Sequence, residues 1–136
     1  MTTPADGLQN RTVLLVDDHE GNIRTFLDYL EAKGLHVIVA RDGIEALSRC
    51  REEAPALILM DVQMPRLDGL SVTRELRKDP LFANTPIIAL TALAMPGDRE
   101  RCMEAGVNEY FAKPASLRAV HAAILRYLGP NPSAVE

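Results

Sequence analysis

The sequence contains no tryptophan, few other aromatic residues, only two cysteines and no long apolar run. Its longest apolar stretches have five or six residues, whereas a membrane-spanning helix needs about 20. We therefore expect no membrane segment. Cys50 and Cys102 lie far apart and lack the spacing of metal ligands, which favours reduced thiols in a cytoplasmic protein. The first ten residues have no basic segment followed by an apolar one, so they do not resemble a signal peptide.

The charge pattern also lacks a basic stripe interleaved with aromatic residues, and the net charge is -4. Direct binding of nucleic acid is therefore not expected. With 136 residues, 47% of them hydrophobic and 25% charged, the chain has the size and composition of one globular domain. We expect this domain to span residues 11–128. The segments 1–10 and 129–136 are rich in proline, glycine and polar residues and are predicted to be flexible tails.

Short apolar segments alternate with segments of helical periodicity throughout the expected domain. The apolar segments predict strands at residues 12–16, 36–40, 56–60, 86–90 and 109–112. Apolar residues recur at helical spacing between them, as in Ile23, Leu27 and Leu30, in Ile44, Leu47 and Cys50, and in Leu117, Val120, Ile124 and Tyr127. Gly34 and Gly106 are predicted to end helices, and Ser116 to begin the last one. The alternation predicts an α/β fold of three layers with a parallel sheet.

Chemically active residues follow four of the five predicted strands. Asp17 and Asp18 follow the first strand and Asp61 the third, while Thr91 follows the fourth and Lys113 the fifth. In open α/β sheets, ligands bind beyond the carboxyl ends of the strands. We therefore expect these side chains to meet at one edge of the sheet. Each alone is more often a turn, capping or surface residue, and it is their joint arrangement that indicates a site.

Three carboxylates at one edge of the sheet repel one another, so a cation is required near them. A site with oxygen ligands and neither histidine nor cysteine suits Mg²⁺. The ion, one amine and one hydroxyl together form the environment that a phosphoryl group requires. This combination predicts that Asp61 acts as a nucleophile and forms an aspartyl-phosphate.

Four motifs resemble the receiver domains of two-component response regulators: "LLVDDHEGN", "LILMDVQMPRLDG", "PIIALTALA" and "EYFAKP". The resemblance covers roughly residues 11–128. It implies a flavodoxin-like, doubly wound parallel sheet of five strands in the order 2-1-3-4-5. It also implies a phosphoacceptor function in a two-component system or phosphorelay, with the phosphoryl group arriving from a phosphohistidine. The partner implied is a sensor histidine kinase or a histidine phosphotransfer protein.

The resemblance assigns roles to the acidic residues. Asp61 would accept the phosphoryl group. Asp18 and Asp61 would ligate Mg²⁺ directly, together with the backbone carbonyl of Gln63, and Asp17 would reach the ion through water. On this assignment the protein is not an enzyme, although it assists its own phosphorylation and dephosphorylation.

The resemblance also implies a switch. Lys113 would pair with the phosphoryl oxygens, and the Lys113–Pro114 bond would be cis. The Thr91 hydroxyl would donate to the phosphoryl group, and its movement would let Tyr110 rotate inward. This change would reshape the surface of the fourth helix, fifth strand and fifth helix, where a downstream protein partner would dock.

Two other classes of function fit parts of the pattern. An aspartyl-phosphate phosphatase of the haloacid dehalogenase type also uses Mg²⁺, but it needs a second aspartate two residues after the nucleophile, where this sequence has Gln63. A flavodoxin-like flavin binder needs a Ser/Thr/Gly phosphate loop after the first strand, where "DDHEGN" is acidic. Whether the chain is a stand-alone regulator or the receiver of a larger hybrid kinase is left open by the sequence.

Overall fold

Strands and helices alternate along the chain, as the sequence predicts. The computed structural model describes residues 11–64, 67–92 and 96–129. In these ranges the strands are β1 (Thr12–Val16), β2 (His36–Ala40), β3 (Leu57–Asp61), β4 (Ile87–Thr91) and β5 (Glu109–Ala112). The helices are α1 (Glu20–Ala32), α2 (Gly43–Glu53), α3 (Gly69–Lys78), α4 (Asp98–Ala105) and α5 (Leu117–Leu128).

The five strands form one parallel sheet in the order β2-β1-β3-β4-β5. This order confirms the predicted flavodoxin-like fold. The chain moves outward from β1 to β2, crosses back to β3, and then continues to β4 and β5. The order therefore reverses between β1 and β3, which is the point where such sheets bind ligands.

β3 and β4 each begin and end one residue later than predicted. Ile58 donates its backbone N–H to the carbonyl of Pro86, and Pro86 has no N–H with which to join the ladder itself. Pairing between β3 and β4 therefore extends from Ile58 with Ile87 to Asp61 with Leu90. Asp61 and Thr91 are thus the last residues of their strands, and backbone pairing holds both in place.

Two apolar clusters fill the space between the sheet and the helices. One packs residues of alternate strand positions against α1 and α5, including Leu15, Leu59, Phe26 and Ile124. The other packs the opposite sheet face against α2, α3 and α4, including Met60, Cys50, Val72 and Cys102. Burial of both faces of the sheet explains the continuous apolar character of the strands.

The buried stripe of α2 differs from the predicted one. Ile44 is 51% exposed, and the buried residues of this helix are Gly43, Ala46 and Cys50. Of the predicted residues Ile44, Leu47 and Cys50, Cys50 is buried and Leu47 is partly buried against the core. Ile44 lies outside because the inner face of α2 runs through Gly43 and Ala46, where Leu67 lies so close to Gly43 that a side chain does not fit. On α5, Tyr127 was predicted to belong to the apolar stripe, but it is 38% exposed. Its hydroxyl lies 3.2 Å from a carboxylate oxygen of Glu109.

The predicted helix ends are confirmed. Gly34 and Gly106 have φ values of 91° and 116°, a backbone conformation that glycine adopts without strain. Ser116 caps α5 by accepting a hydrogen bond from the Ala119 N–H at 3.1 Å.

The cysteines, as predicted, are not paired with each other. Cys50 and Cys102 are free and buried. Among the described residues, no helix is both long and apolar enough to cross a membrane. The segments 1–10 and 129–136, expected to be tails, lie outside the described residues except for Gly129.

Candidate functional site

The carboxyl ends of the strands bring the three predicted acids together. Asp17 and Asp18 directly follow β1, and Asp61 ends the adjacent strand β3. One carboxylate oxygen from each of the three lies within 4.8 Å of the others. The predicted convergence of these residues is therefore confirmed, and it arises because β1 and β3 are neighbours in the sheet.

Backbone N–H groups orient two of the carboxylates. The N–H of His19 donates to Asp17 Oδ1 at 2.9 Å, and the N–H of Gln63 donates to Asp61 Oδ1 at 3.1 Å. Asp17 is fully buried and Asp61 is 3% exposed, whereas Asp18 faces solvent. Asp17 and Asp61 are thus buried and held by backbone hydrogen bonds, whereas Asp18 lies at the solvent side of the group.

Lys113 supplies positive charge to the cluster. Its Nζ lies 3.3 Å from Asp61 Oδ1 and 3.5 Å from Asp17 Oδ2. Its backbone N–H donates to the carbonyl of Thr91 at 2.8 Å, which fixes the start of the segment after β5. The Lys113–Pro114 bond is cis, as predicted.

The environment of Asp61 favours its protonated form. Burial is the main cause and raises the pKa of Asp61 from 3.8 to about 6; Lys113 opposes this rise, and the negative charge of Asp17 adds to it. The effect of Lys113 is therefore smaller than the effect of burial. The three grouped residues offer carboxylate oxygens as metal ligands, and none of them is a histidine or a cysteine. Such a ligand set suits Mg²⁺.

The two predicted switch residues lie on neighbouring strands. Thr91 is fully buried at the end of β4, one position beyond the register partner of Asp61. Tyr110, in β5, packs against the cluster beneath α4. Burial raises the pKa of the Tyr110 hydroxyl, and the nearby Cys102 and Asp98 contribute. The side of the sheet that carries α4 is therefore also the side that Tyr110 faces.

Two cavities lie near the carboxyl ends of the strands. One, of about 530 Å³, is lined by Asp18, Gln63 and Arg101 among others. The second, of about 590 Å³, has Asn22 and Lys113 in its lining. Asp18 is thus open to the first cavity and Lys113 to the second.

Sequence reasoning did not identify some contributors to the site. The N–H groups that orient Asp17 and Asp61 belong to the backbone and leave no trace in the residue types. Arg101 lines the first cavity and pairs with the buried Asp98 on α4. The spacing of these two residues, three apart in "DRER", is a helical ion-pair signal that could have indicated their pairing but not its place beside the acids.

Comparison with known proteins agrees with this geometry. The family model of the response regulator receiver domain matches residues 13–125. The polar-differentiation response regulators DivK of Brucella anthropi and Brucella ovis are each 44% identical to this chain over 119 residues, covering 88% of it and 97% of the relative.

Solved structures are also similar. The receiver domain of a sensor histidine kinase from Pseudomonas aeruginosa, with a magnesium ion coordinated in its active-site cleft, is 39% identical with a TM-score of 0.81; the match covers 88% of this chain and 98% of that one. A Francisella response regulator receiver domain is 31% identical with a TM-score of 0.82, covering 88% and 97%. The chain belongs to the response regulator receiver domains, the phosphoacceptor modules of two-component signalling.

Proposed function

We propose that Asp61 is the residue of this receiver domain that accepts the phosphoryl group, from a phosphohistidine of a sensor histidine kinase or a histidine phosphotransfer protein. The observation that carries the proposal is the position of Asp61 at the tip of the central strand, 3.3 Å from Lys113 Nζ and grouped with two further acids. In the transfer, the P–N bond of the donor breaks and an O–P bond to Asp61 forms. The imidazole of the donor keeps the electron pair of the broken bond.

Mg²⁺ is the cofactor that the carboxylates suit. Asp17, Asp18, Asp61 and the backbone carbonyl of Gln63 would hold it, and Asp18 is exposed on the open side, where there is space for the waters that Mg²⁺ retains. When bound, the ion supplies positive charge to the phosphoryl oxygens. A bound cation would stabilise the ionised carboxylate of Asp61, whose pKa is raised mainly by burial and further by the negative charge of Asp17.

Lys113 and Thr91 act on the phosphoryl group from the β4–β5 side. Lys113 places its ammonium group between Asp17 and Asp61, where it can pair with phosphoryl oxygens once Asp61 is modified. The Thr91 hydroxyl donates a hydrogen bond to one of these oxygens. Both side chains lie in a largely buried environment, where electrostatic interactions are stronger than in water.

Phosphorylation then shifts a conformational equilibrium through Thr91 and Tyr110. The readout is the face formed by α4, β5 and α5, where the downstream protein partner docks. Inverting a 1:99 population takes about 5.5 kcal/mol, while one charge-assisted hydrogen bond contributes about 1.5–3 kcal/mol. The phosphorylated domain alone is therefore a mixture of states, and partner binding completes the shift.

The domain acts through protein contacts and not as an enzyme on other substrates; it assists only its own phosphorylation and dephosphorylation. We place this function in residues 11–128 and in the cytoplasm, where kinases have access to ATP. The net charge of -4 disfavours direct contact with nucleic acid. The phosphatase and flavin-binding alternatives have no support, because the chain belongs to the receiver family.

Incubation of the protein with acetyl phosphate and Mg²⁺ tests the assignment. Intact mass spectrometry is expected to show a gain of one phosphoryl group. A chelator or the substitution Asp61→Asn is expected to abolish the gain, whereas Asp28→Asn, at an exposed position of α1, leaves it unchanged. Labelling of the Asp61→Asn protein to the wild-type extent would show that another residue is the acceptor.

A further inference from the structure

The first residue of α2 lies unusually close to the segment that follows β3. Gly43 is buried, and a Cβ atom built on it would lie 2.1 Å from the carbonyl oxygen of Leu67 and 2.7 Å from Leu67 Cβ. Contacts of a real Cβ atom below 3.0 Å essentially do not occur. Gly43 does not have a positive φ, so it is the lack of space, and not an unusual backbone conformation, that requires glycine here.

Leu67, which Gly43 touches, lies four residues after Gln63, the proposed carbonyl ligand of Mg²⁺. The chain after Leu67 returns to the end of β3, since the N–H of Gly69 donates to the carbonyl of Val62 at 3.0 Å. A Cβ atom on Gly69 would lie 2.4 Å from the carbonyl oxygen of Asp61. Leu67 and Gly69 are thus closely packed, the first against the start of α2 and the second against the end of β3.

We propose that Gly43 is a positioning residue for the metal site: its missing side chain lets α2 pack against Leu67 so that Asp61 and the Gln63 carbonyl are held ready for Mg²⁺. The inference rests on the proposed function of that site. It assigns a part in metal binding to a residue on a helix that supplies none of the proposed ligands.

The size of the displacement supports the assignment. A methyl group at position 43 requires Leu67 to move by about 0.9 Å for its carbonyl oxygen to reach the 3.0 Å limit. Functional sites need their groups held to within about 0.5 Å, and Mg²⁺ demands near-ideal octahedral geometry. Leu67 is two residues before Gly69, which is hydrogen-bonded to Val62 and lies against the carbonyl oxygen of Asp61. We therefore expect the displacement to reach Asp61 and Gln63.

A purely structural role for Gly43 makes a different prediction. Alanine is a better helix former than glycine, so helix propensity alone would make Gly43→Ala neutral or stabilising. A structural role would leave the Mg²⁺ affinity of the folded protein unchanged. Mg²⁺ affinity of the folded state is therefore the readout that separates positioning from packing.

The experiment is a calorimetric titration of the full chain with Mg²⁺, with circular dichroism to establish that each variant is folded. We expect Gly43→Ala to raise the Kd for Mg²⁺ by at least about tenfold. Labelling by acetyl phosphate should slow at low Mg²⁺ and recover at high Mg²⁺. The matched control is Ile44→Ala, which introduces the same residue at the neighbouring, 51% exposed position and should leave the Kd within about twofold.

A double variant keeps the test decisive if Gly43→Ala does not fold. Leu67→Gly removes the Cβ contact at 2.7 Å and keeps the carbonyl oxygen at 2.1 Å, so the clash at position 43 is smaller. Gly43→Ala/Leu67→Gly is compared with Leu67→Gly alone, and weaker Mg²⁺ binding by the double variant supports the inference. Equal affinities, or a folded Gly43→Ala protein with the wild-type Kd, overturn the inference and leave the proposed function intact. If the wild-type protein itself does not bind Mg²⁺, the proposed function fails.

Discussion

Replacing Asp61 by asparagine is expected to stabilise the metal-free protein at neutral and alkaline pH. Asp61 is 3% exposed, and its carboxylate is ionised at these pH values despite its burial. Burial raises the pKa of Asp61 to about 6, from an ordinary value of 3.8. Asparagine keeps the shape of the side chain and removes the charge that the fold disfavours.

The difference of about two pKa units corresponds to about 3 kcal/mol, which is the upper limit of the gain. Because the pKa of Asp61 is higher in the folded than in the unfolded state, the folded state binds its proton more tightly. The cost of ionisation is therefore complete above pH 6, declines as the pH falls through the window from 6 to 3.8, and is absent below it. The advantage of Asp61→Asn should follow the same course.

Urea unfolding followed by circular dichroism, in the presence of a chelator, measures this gain. At about pH 8 the variant should be more stable than wild type, and at about pH 3.5 the two should agree. Mg²⁺ at 1,000 times its Kd should reverse the order, since it adds about 4.1 kcal/mol to the protein that binds it. Asp28→Asn on the surface of α1 is the control. Equal stability of the variant and wild type at pH 8, or a gain that persists in acid, would refute the reasoning.

Three further predictions concern groups that hold the fold and the site. Arg77 donates hydrogen bonds to carbonyls of the α3–β4 and α4–β5 connections. Arg77→Met should therefore lower the free energy of unfolding, measured by urea titration, by about 2–4 kcal/mol. The control Arg74→Met, at an exposed position of α3, should change it little. Ser116→Ala should cost about 1 kcal/mol in that assay through loss of the α5 cap, and an unchanged midpoint would contradict the capping role. Lys113→Gln should slow labelling by acetyl phosphate by about 100-fold, measured by intact mass, and a wild-type rate would exclude charge stabilisation by Lys113.

Much of the fold and the grouping of the acids could be predicted from local patterns. Apolar segments of strand length, helical periodicity and glycines at helix ends depend on neighbours within a few residues, so they can be read along the chain. Asp17, Asp61 and Lys113 came together as predicted because parallel strands direct their carboxyl ends to one edge of the sheet. The one-residue shift of β3 and β4 arose because pairing between strands, and not the apolar segment itself, decides where a strand ends.

The order of the residues was enough to establish the fold class, the residue types at the strand ends and, through its motifs, the receiver family. The folded arrangement was needed to learn which face of α2 is buried, which backbone N–H groups hold Asp17 and Asp61, and how far burial raises the pKa of Asp61. These properties depend on atoms that lie far apart in the chain and approach to within a few ångströms, as Gly43 and Leu67 do. Periodicity and residue type carry no record of such distances, because many different packings are compatible with the same local pattern.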